Sequence, residues 1–306
     1  MLFSILANLI IIYGLISLPL TSSQTIDISD YQENSGVELR LNGYQEKAPI
    51  RKNNSSLGMA VTAAAAMIID QPSGLVLWQK NPDQPRSLAS ITKLLSALVF
   101  LDHNPGWETE IIMQPDDYLA GGIIKVYQGE KIKVRDLFNA SLVISSNTAT
   151  MALARSTGLS KEEFVKAMNL KAQQLGMKQS VFLEPTGLEP ANLSTAADVI
   201  KLAKAAFAEE EIKKATVQKE YNFTVPLTTR NVKLENTNKL LASYLNIAAG
   251  KTGYLDEAGY CLVSEITGGN NQEVIIVVMG SQSESDRFQD LKGLAQWVFD
   301  NYSWEH

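Results

Sequence analysis

Leu88-Ala-Ser-Ile-Thr-Lys-Leu-Leu-Ser-Ala-Leu-Val-Phe100 is the stretch on which the reading of this chain turns. It is apolar enough for a core helix, yet Lys93 falls in its first turns, and Ser90 lies three residues earlier on the same helix face. A buried lysine is costly unless it is paired or neutral, and desolvation lowers its pKa. A lysine driven toward neutrality beside a hydroxyl is a general base beside a nucleophile. The bland alternative is a solvated helical lysine, which a lone Ser-x-x-Lys does not exclude.

Outward from this helix the chain alternates between strand and helix patterns. On its N-terminal side, Ala60 to Asp70 and Leu75-Val-Leu-Trp78 flank the turn Gln71-Pro-Ser-Gly74 and read as a hairpin. On its C-terminal side the helix stops near Asn104-Pro-Gly106, and a polar, strand-rich stretch runs through Gly121-Gly122 and Gln128-Gly-Glu130. Helical patterns then dominate from Val134 to about Phe207, with a capping box at Ser160-Lys-Glu-Glu163 opening a helix that runs to about Leu175. After Tyr221 strands return, at Ala258 to Val263 and Glu273 to Met279, and Ser285 to Asn301 reads as a closing amphipathic helix. The pattern predicts an α+β domain over 59–306: a sheet assembled from both chain ends, with an all-helical subdomain at about 115–215.

Composition narrows the function. The chain has 306 residues, 45% hydrophobic and 20% charged, with a net charge of -6, and a nucleic-acid partner gets no support from that balance. Its single cysteine, Cys261, rules out an internal disulfide and reads as a core residue of a strand. Leu2 to Leu20 is almost wholly apolar and is followed by Thr21-Ser-Ser23, so residues 1–23 read as an export signal or an uncleaved N-terminal membrane anchor. The acidic flank Asp27, Asp30 and Glu33 places the rest outside the cytoplasm, and polar residues 24–58 read as a linker.

The chain has two histidines, His103 beside a turn signal and His306 at the last position, which argues against a Ser-His-Asp triad and most zinc schemes. A serine enzyme here needs another base. Two further short motifs bear on this. Ser145-Ser-Asn147 interrupts two helical runs, and Lys251-Thr-Gly253 opens a strand, its glycine leaving room for a substrate backbone. Each alone is a cap or a turn; their order and wide spacing are another matter.

Together with Ser90-x-x-Lys93 they resemble the SxxK, SxN and KTG set of the penicillin-recognising serine acyltransferases. Ala89-Ser-Ile-Thr-Lys93, Gly129 to Leu137, Glu184-Pro-Thr-Gly-Leu188, Asn192 to Asp198, Asn236-Thr-Asn-Lys-Leu240 and Ala258 to Val263 extend the resemblance to the low-molecular-mass D-alanyl-D-alanine carboxypeptidase family. It covers roughly Ala60 to Trp297 and implies a mainly antiparallel sheet flanked by helices.

The roles implied by the resemblance fall on matching positions. Ser90 attacks the penultimate D-alanine of a peptidoglycan stem peptide, Lys93 takes its proton, and Ser145 with Asn147 relays protons and holds the substrate. Lys251 and Thr252 bind the terminal carboxylate or that of a β-lactam, next to Gly253, and the N–H groups of Ser90 and Tyr254 form the oxyanion hole. No metal or organic cofactor is implied. Two departures stand out: Ser146, where glycine is frequent, is expected to narrow its corner of the site, and Tyr254 carries over by its backbone alone. The chain also reaches His306 without the β-rich domain and C-terminal membrane helix of many relatives, so any anchoring is expected from the N-terminal segment.

Three other functions compete. A D,D-endopeptidase uses the same chemistry on cross-links. A class A β-lactamase needs a carboxylate that activates the deacylating water, and Glu189-Pro-Ala-Asn192 has the wrong spacing for it. A non-catalytic wall-binding or β-lactam-sensing module would not need the polar set intact.

Overall fold

The computed structural model describes residues 48–52, 56, 58–119 and 121–304. The expected leader 1–23, most of the expected linker and His306 lie outside the described residues. Five strands form the central sheet: β1 (Ala65–Asp70), β2 (Val76–Lys80), β3 (Asn246–Leu255), β4 (Gly259–Thr267) and β5 (Glu273–Ser281). Their spatial order is β3-β4-β5-β1-β2 and every neighbouring pair is antiparallel. Both chain ends therefore build one sheet, as the patterns predicted. The hairpin is there too, with Ile68 opposite Trp78.

Strand β1 explains itself by burial. All six of its residues are buried, because both faces of the sheet are covered. Ala65, Met67 and Ile69 enter the larger core under the helices, whereas Ala66 and Ile68 enter a second core with Phe288, Leu291, Leu294 and Val298 of the closing helix. One pleat thus serves two cores.

The larger core surrounds α1 (Thr92–Asp102), whose residues Thr92 to Phe100 are all buried. It packs against α2 (Val134–Val143), α3 (Asn147–Ser156), α4 (Lys161–Gln174) and α5 (Ala196–Ala208). Helix α4 opens on the expected capping box, with Ser160 Oγ accepting from Glu163 N at 3.1 Å and Glu163 accepting from Ser160 N at 2.8 Å. Short α6 (Glu210–Val217) begins at the acidic run, and α7 (Glu284–Asn301) closes the chain. Cys261 is buried, and Trp107 packs edge-on against Phe138 at 5.2 Å.

The structure differs from the sequence reading in four places. The helical stretch 134–207 is broken: residues 176–195 are mostly irregular, with Leu193–Ser194 pairing to Arg86–Ser87. Helices α5 and α6 lie against the sheet, α5 on β1 and β5 and α6 on β3, although both fall largely inside the span expected for a separate helical subdomain. Ile50–Arg51, inside the expected linker, pairs with Tyr302–Ser303. Lys251-Thr-Gly253 does not open a strand but occupies the sixth to eighth positions of β3. The strand starts earlier through Ala248-Ala-Gly250, small residues of weak β propensity that hide its beginning.

Candidate active site

Ser90 sits in a single 3₁₀ turn, Ala89–Ile91, that leads straight into α1. Ala89 has φ +46, a left-handed conformation that costs an alanine about 1–2 kcal/mol. Two neighbours hold the turn. Leu88 N donates to Asn192 O at 3.1 Å, and strand β3 presses on the turn at Gly253. A Cβ on Gly253 would stand 3.0 Å from Leu88 O and 3.2 Å from Ser90 N. This glycine serves the approach of the strand to the Ser90 turn, and it also lines the cleft, where the sequence suggested room for a substrate backbone.

Lys93, in the first turn of α1, is 0% exposed. Its ammonium nitrogen donates to Ser90 Oγ at 2.9 Å, Asn147 Oδ1 at 2.7 Å and Thr186 O at 2.6 Å. Asn147 is oriented by its amide nitrogen, which donates to Gly121 O at 3.2 Å, so its oxygen faces the lysine. Burial drives the Lys93 pKa down to about 7, and the nearby Glu184 charge opposes that fall. An amine poised near neutrality is suited to general-base catalysis.

A second buried lysine faces the first. Lys251 Nζ, on β3, donates to Ser145 Oγ at 2.8 Å and to Thr252 O at 3.0 Å. Burial, followed by the charges of Lys93 and Arg287, holds its pKa well below the ordinary range. Ser145 is placed by a left-handed backbone, φ +59, between α2 and α3. Ser146 is buried and caps α3 by accepting from Ala149 N at 3.2 Å, so it does not narrow the site as expected. Thr252 shares a hydroxyl hydrogen bond of 2.6 Å with Thr237.

These groups open on a cleft of about 620 Å³ lined by Ser90, Ser145, Asn147, Thr237, Thr252 and Tyr254, among others. Tyr254 stacks on Tyr260 at 4.3 Å and makes a firm wall. Arg287, on α7, also reaches the cleft, donating to Gly253 O at 3.1 Å. The structure thus gathers Ser90, Lys93, Ser145, Asn147, Lys251, Thr252, Gly253 and Tyr254 in and around one cleft. Thr186, Thr237, Glu184 and Arg287 carried no assigned role in the sequence reading. The first three lie in segments quoted for resemblance, but a backbone acceptor leaves no residue-type signal.

A hydroxyl beside a buried near-neutral lysine, with a second buried lysine near by, has the parts of a serine acyl-transfer site. Comparison with known proteins agrees. The family model described as D-alanyl-D-alanine carboxypeptidase matches residues 50–283, and the chain belongs to that family. A D-alanyl-D-alanine endopeptidase of Pseudomonas aeruginosa is 35% identical, over 82% of this chain and 82% of its own. D-alanyl-D-alanine carboxypeptidase DacF of Bacillus subtilis is 32% identical, over 80% of this chain and 64% of its own. The crystal structure of the Streptomyces K15 DD-transpeptidase superposes with a TM-score of 0.74 at 27% identity, covering 79% of this chain and 99% of that one. The chain is thus a serine peptidase with a penicillin-binding fold, and membership places its work on the cell wall, outside the cytoplasm. Among the described residues no helix is long and apolar enough to cross a membrane.

Proposed function

We propose that this protein is a D-Ala-D-Ala carboxypeptidase acting on peptidoglycan stem peptides, with Ser90 as nucleophile and Lys93 as general base. The observation that carries this reading is the 2.9 Å contact of the fully buried Lys93 amine with Ser90 Oγ at the cleft. Neutral Lys93 takes the hydroxyl proton as Oγ bonds to the carbonyl carbon of the penultimate D-alanine. The carbonyl electron pair moves to oxygen, facing the N–H groups of Ser90 and Tyr254. When that pair returns, the C–N bond breaks. Ser145, in contact with Lys251, relays to the departing amine the proton that Lys93 took, so that lysine and serine are both restored and terminal D-alanine leaves. Water then hydrolyses the acyl-enzyme. Lys251 and the Thr252 hydroxyl receive the terminal carboxylate, with the Arg287 charge close behind. A β-lactam enters by the same route, its carboxylate in the same place. Residues 59–306 form the catalytic domain, and residues 2–20 carry it out of the cytoplasm, as a cleaved signal or as an anchor.

Deacylation of the penicilloyl form is slow in this reading, because neither Glu184 nor Glu189, the carboxylates of the 184–189 turn beside Ser90, is free to activate water. Both Glu184 oxygens are occupied by donors, and exposed Glu189 accepts from Ala191 N at 3.2 Å. Rapid penicillin turnover would overturn it.

The test is intact mass after mixing the purified protein with benzylpenicillin. One stable adduct mapping to Ser90 is expected; no adduct on folded protein sinks the acyl-transfer reading in favour of a binding module. A second reading, D,D-endopeptidase, has its own support. Endopeptidases of Pseudomonas aeruginosa and Escherichia coli are matched over 82% and 77% of their lengths, against 64% for DacF. Purified cross-linked muropeptides separate the two, since only an endopeptidase releases monomers from them.

A further inference from the structure

The turn that brings a carbonyl to Lys93 is built around one carboxylate. Glu184 accepts five hydrogen bonds: from Thr186 N and Thr186 Oγ1 at 2.6 Å each, from Gly187 N, from Glu189 N at 3.4 Å and from Asn192 Nδ2 at 3.1 Å. Fully buried Asn192 grips the same residue again, donating to Glu184 O at 2.9 Å and accepting from Leu183 N at 2.7 Å. The turn is then fastened to one face of α1. Ser96 Oγ donates to Pro185 O at 2.6 Å, and Lys93 Nζ to Thr186 O at 2.6 Å. At Gly187, φ +83, the backbone lies so close to the nucleophile's turn that a Cβ would come within 1.9 Å of Ala89 O.

What that carbonyl does follows from the valence of a neutral amine, which has two N–H bonds and one lone pair. Lys93 has three polar neighbours, and two of them, Asn147 Oδ1 and Thr186 O, can only accept. They take the two N–H bonds. The lone pair is left facing Ser90 Oγ, whose proton it must receive. Without the Thr186 carbonyl, the amine could turn an N–H toward Ser90 and lose its competence as a base.

We propose that Glu184 is a positioning residue for acylation: its carboxylate folds the 184–189 turn so that the Thr186 carbonyl orients the Lys93 amine toward Ser90. This rests on the assignment of Lys93 as the base. All five partners are donors, so both oxygens must accept; an amide would set its NH₂ against N–H and O–H groups. Glu184 also contributes a negative charge near Lys93, while Lys251 lies near it on β3 and has its own pKa lowered by the Lys93 charge.

The experiment measures the second-order rate of benzylpenicillin acylation from pH 5 to 9 for wild type, Glu184→Gln and Glu184→Asp, with melting temperatures alongside. Glu184→Gln is expected to lower the plateau rate by at least about tenfold. It should also move the acid limb down by about one pH unit, because an opposite charge that favoured the ammonium is gone. Glu184→Asp retains the charge, so its limb stays near the wild-type position and its plateau falls less. A wild-type plateau and limb in Glu184→Gln overturn the proposal. So does a lower plateau with an unmoved limb, which would mark Glu184 as a structural residue only. Should Glu184→Gln fail to fold, Thr186→Val decides, since it removes one donor to the carboxylate in a nearly isosteric change. A plateau reduced by about threefold or more supports the proposal, and an unchanged plateau overturns it. Absence of acylation in wild type would instead refute Lys93–Ser90 chemistry itself, so the two failures are distinguishable.

Discussion

Lys93 and Lys251 are the same residue type, each fully or almost fully buried and each within 2.9 Å of a serine hydroxyl. Their surroundings differ, and the proposal gives them different work accordingly. Lys93 has three acceptors and the Glu184 charge to offset its burial, and it titrates near 7. Lys251 has one hydroxyl and its neighbour's carbonyl, and the charges that act on it come from Lys93 and Arg287. A lysine with balanced surroundings makes a base. One surrounded by cations makes a receptor for an anion, because a bound carboxylate supplies the counter-charge that the protein withholds. Lys93 is held on a helix and Lys251 on a strand.

The largest break in this comparison is expected from Lys93→Ala. Loss of the base should slow benzylpenicillin acylation by about 10²–10⁴-fold, read from adduct formation by mass. Lys251→Ala should cost about 10²-fold in acylation rate, through lost carboxylate recognition and leaving-group protonation, while the acid limb stays near neutrality. Equal limb shifts in the two variants would erase the distinction.

pH sharpens it further. Lys93 must be neutral to accept a proton, so the acylation rate should rise as pH passes about 7 and fall nearly tenfold per unit below it. Folding stability should follow the same group. Its pKa falls from 10.5 to about 7 on folding, so between those values the unfolded chain holds the extra proton. Stability therefore rises with pH across that window, and the penalty of burial is complete below it. Melting temperatures measured from pH 6 to 10 test this, and a flat profile would contradict it.

The smallest effect belongs to Thr237→Val. It removes the hydroxyl that holds Thr252 at 2.6 Å and should raise the KM for a D-Ala-D-Ala substrate about threefold to tenfold, with kcat nearly unchanged. An equal loss in kcat would place Thr237 nearer the reacting atoms.

Much of this was legible in the chain. Apolar runs at both ends predicted a shared sheet, and the turn Gln71-Pro-Ser-Gly74 predicted the hairpin, because turn chemistry and pleat period are local. The capping box at Ser160 fixed the start of α4 for the same reason. Less legible were the segments whose conformation comes from distant partners. The irregular stretch 176–195 looked helical, yet its backbone is committed to Glu184, Asn192 and the face of α1. Ile50–Arg51 looked like linker, and only the distant Tyr302–Ser303 makes it a strand.

Ser90, Lys93, Ser145, Asn147, Lys251 and Thr252 could be picked out by residue type, since a hydroxyl, an amine or an amide announces its chemistry by its identity. The sequence also pointed to Lys93 as the base; how far its burial lowers its pKa, and which way its amine is held, were decided by tertiary structure alone. Those depend on burial, on the Thr186 carbonyl and on the charges of Glu184 and Arg287, drawn from α7 and from a turn some 90 residues from Lys93 in the chain. Desolvation and hydrogen-bond direction are properties of an environment, and the environment exists only once the chain has folded.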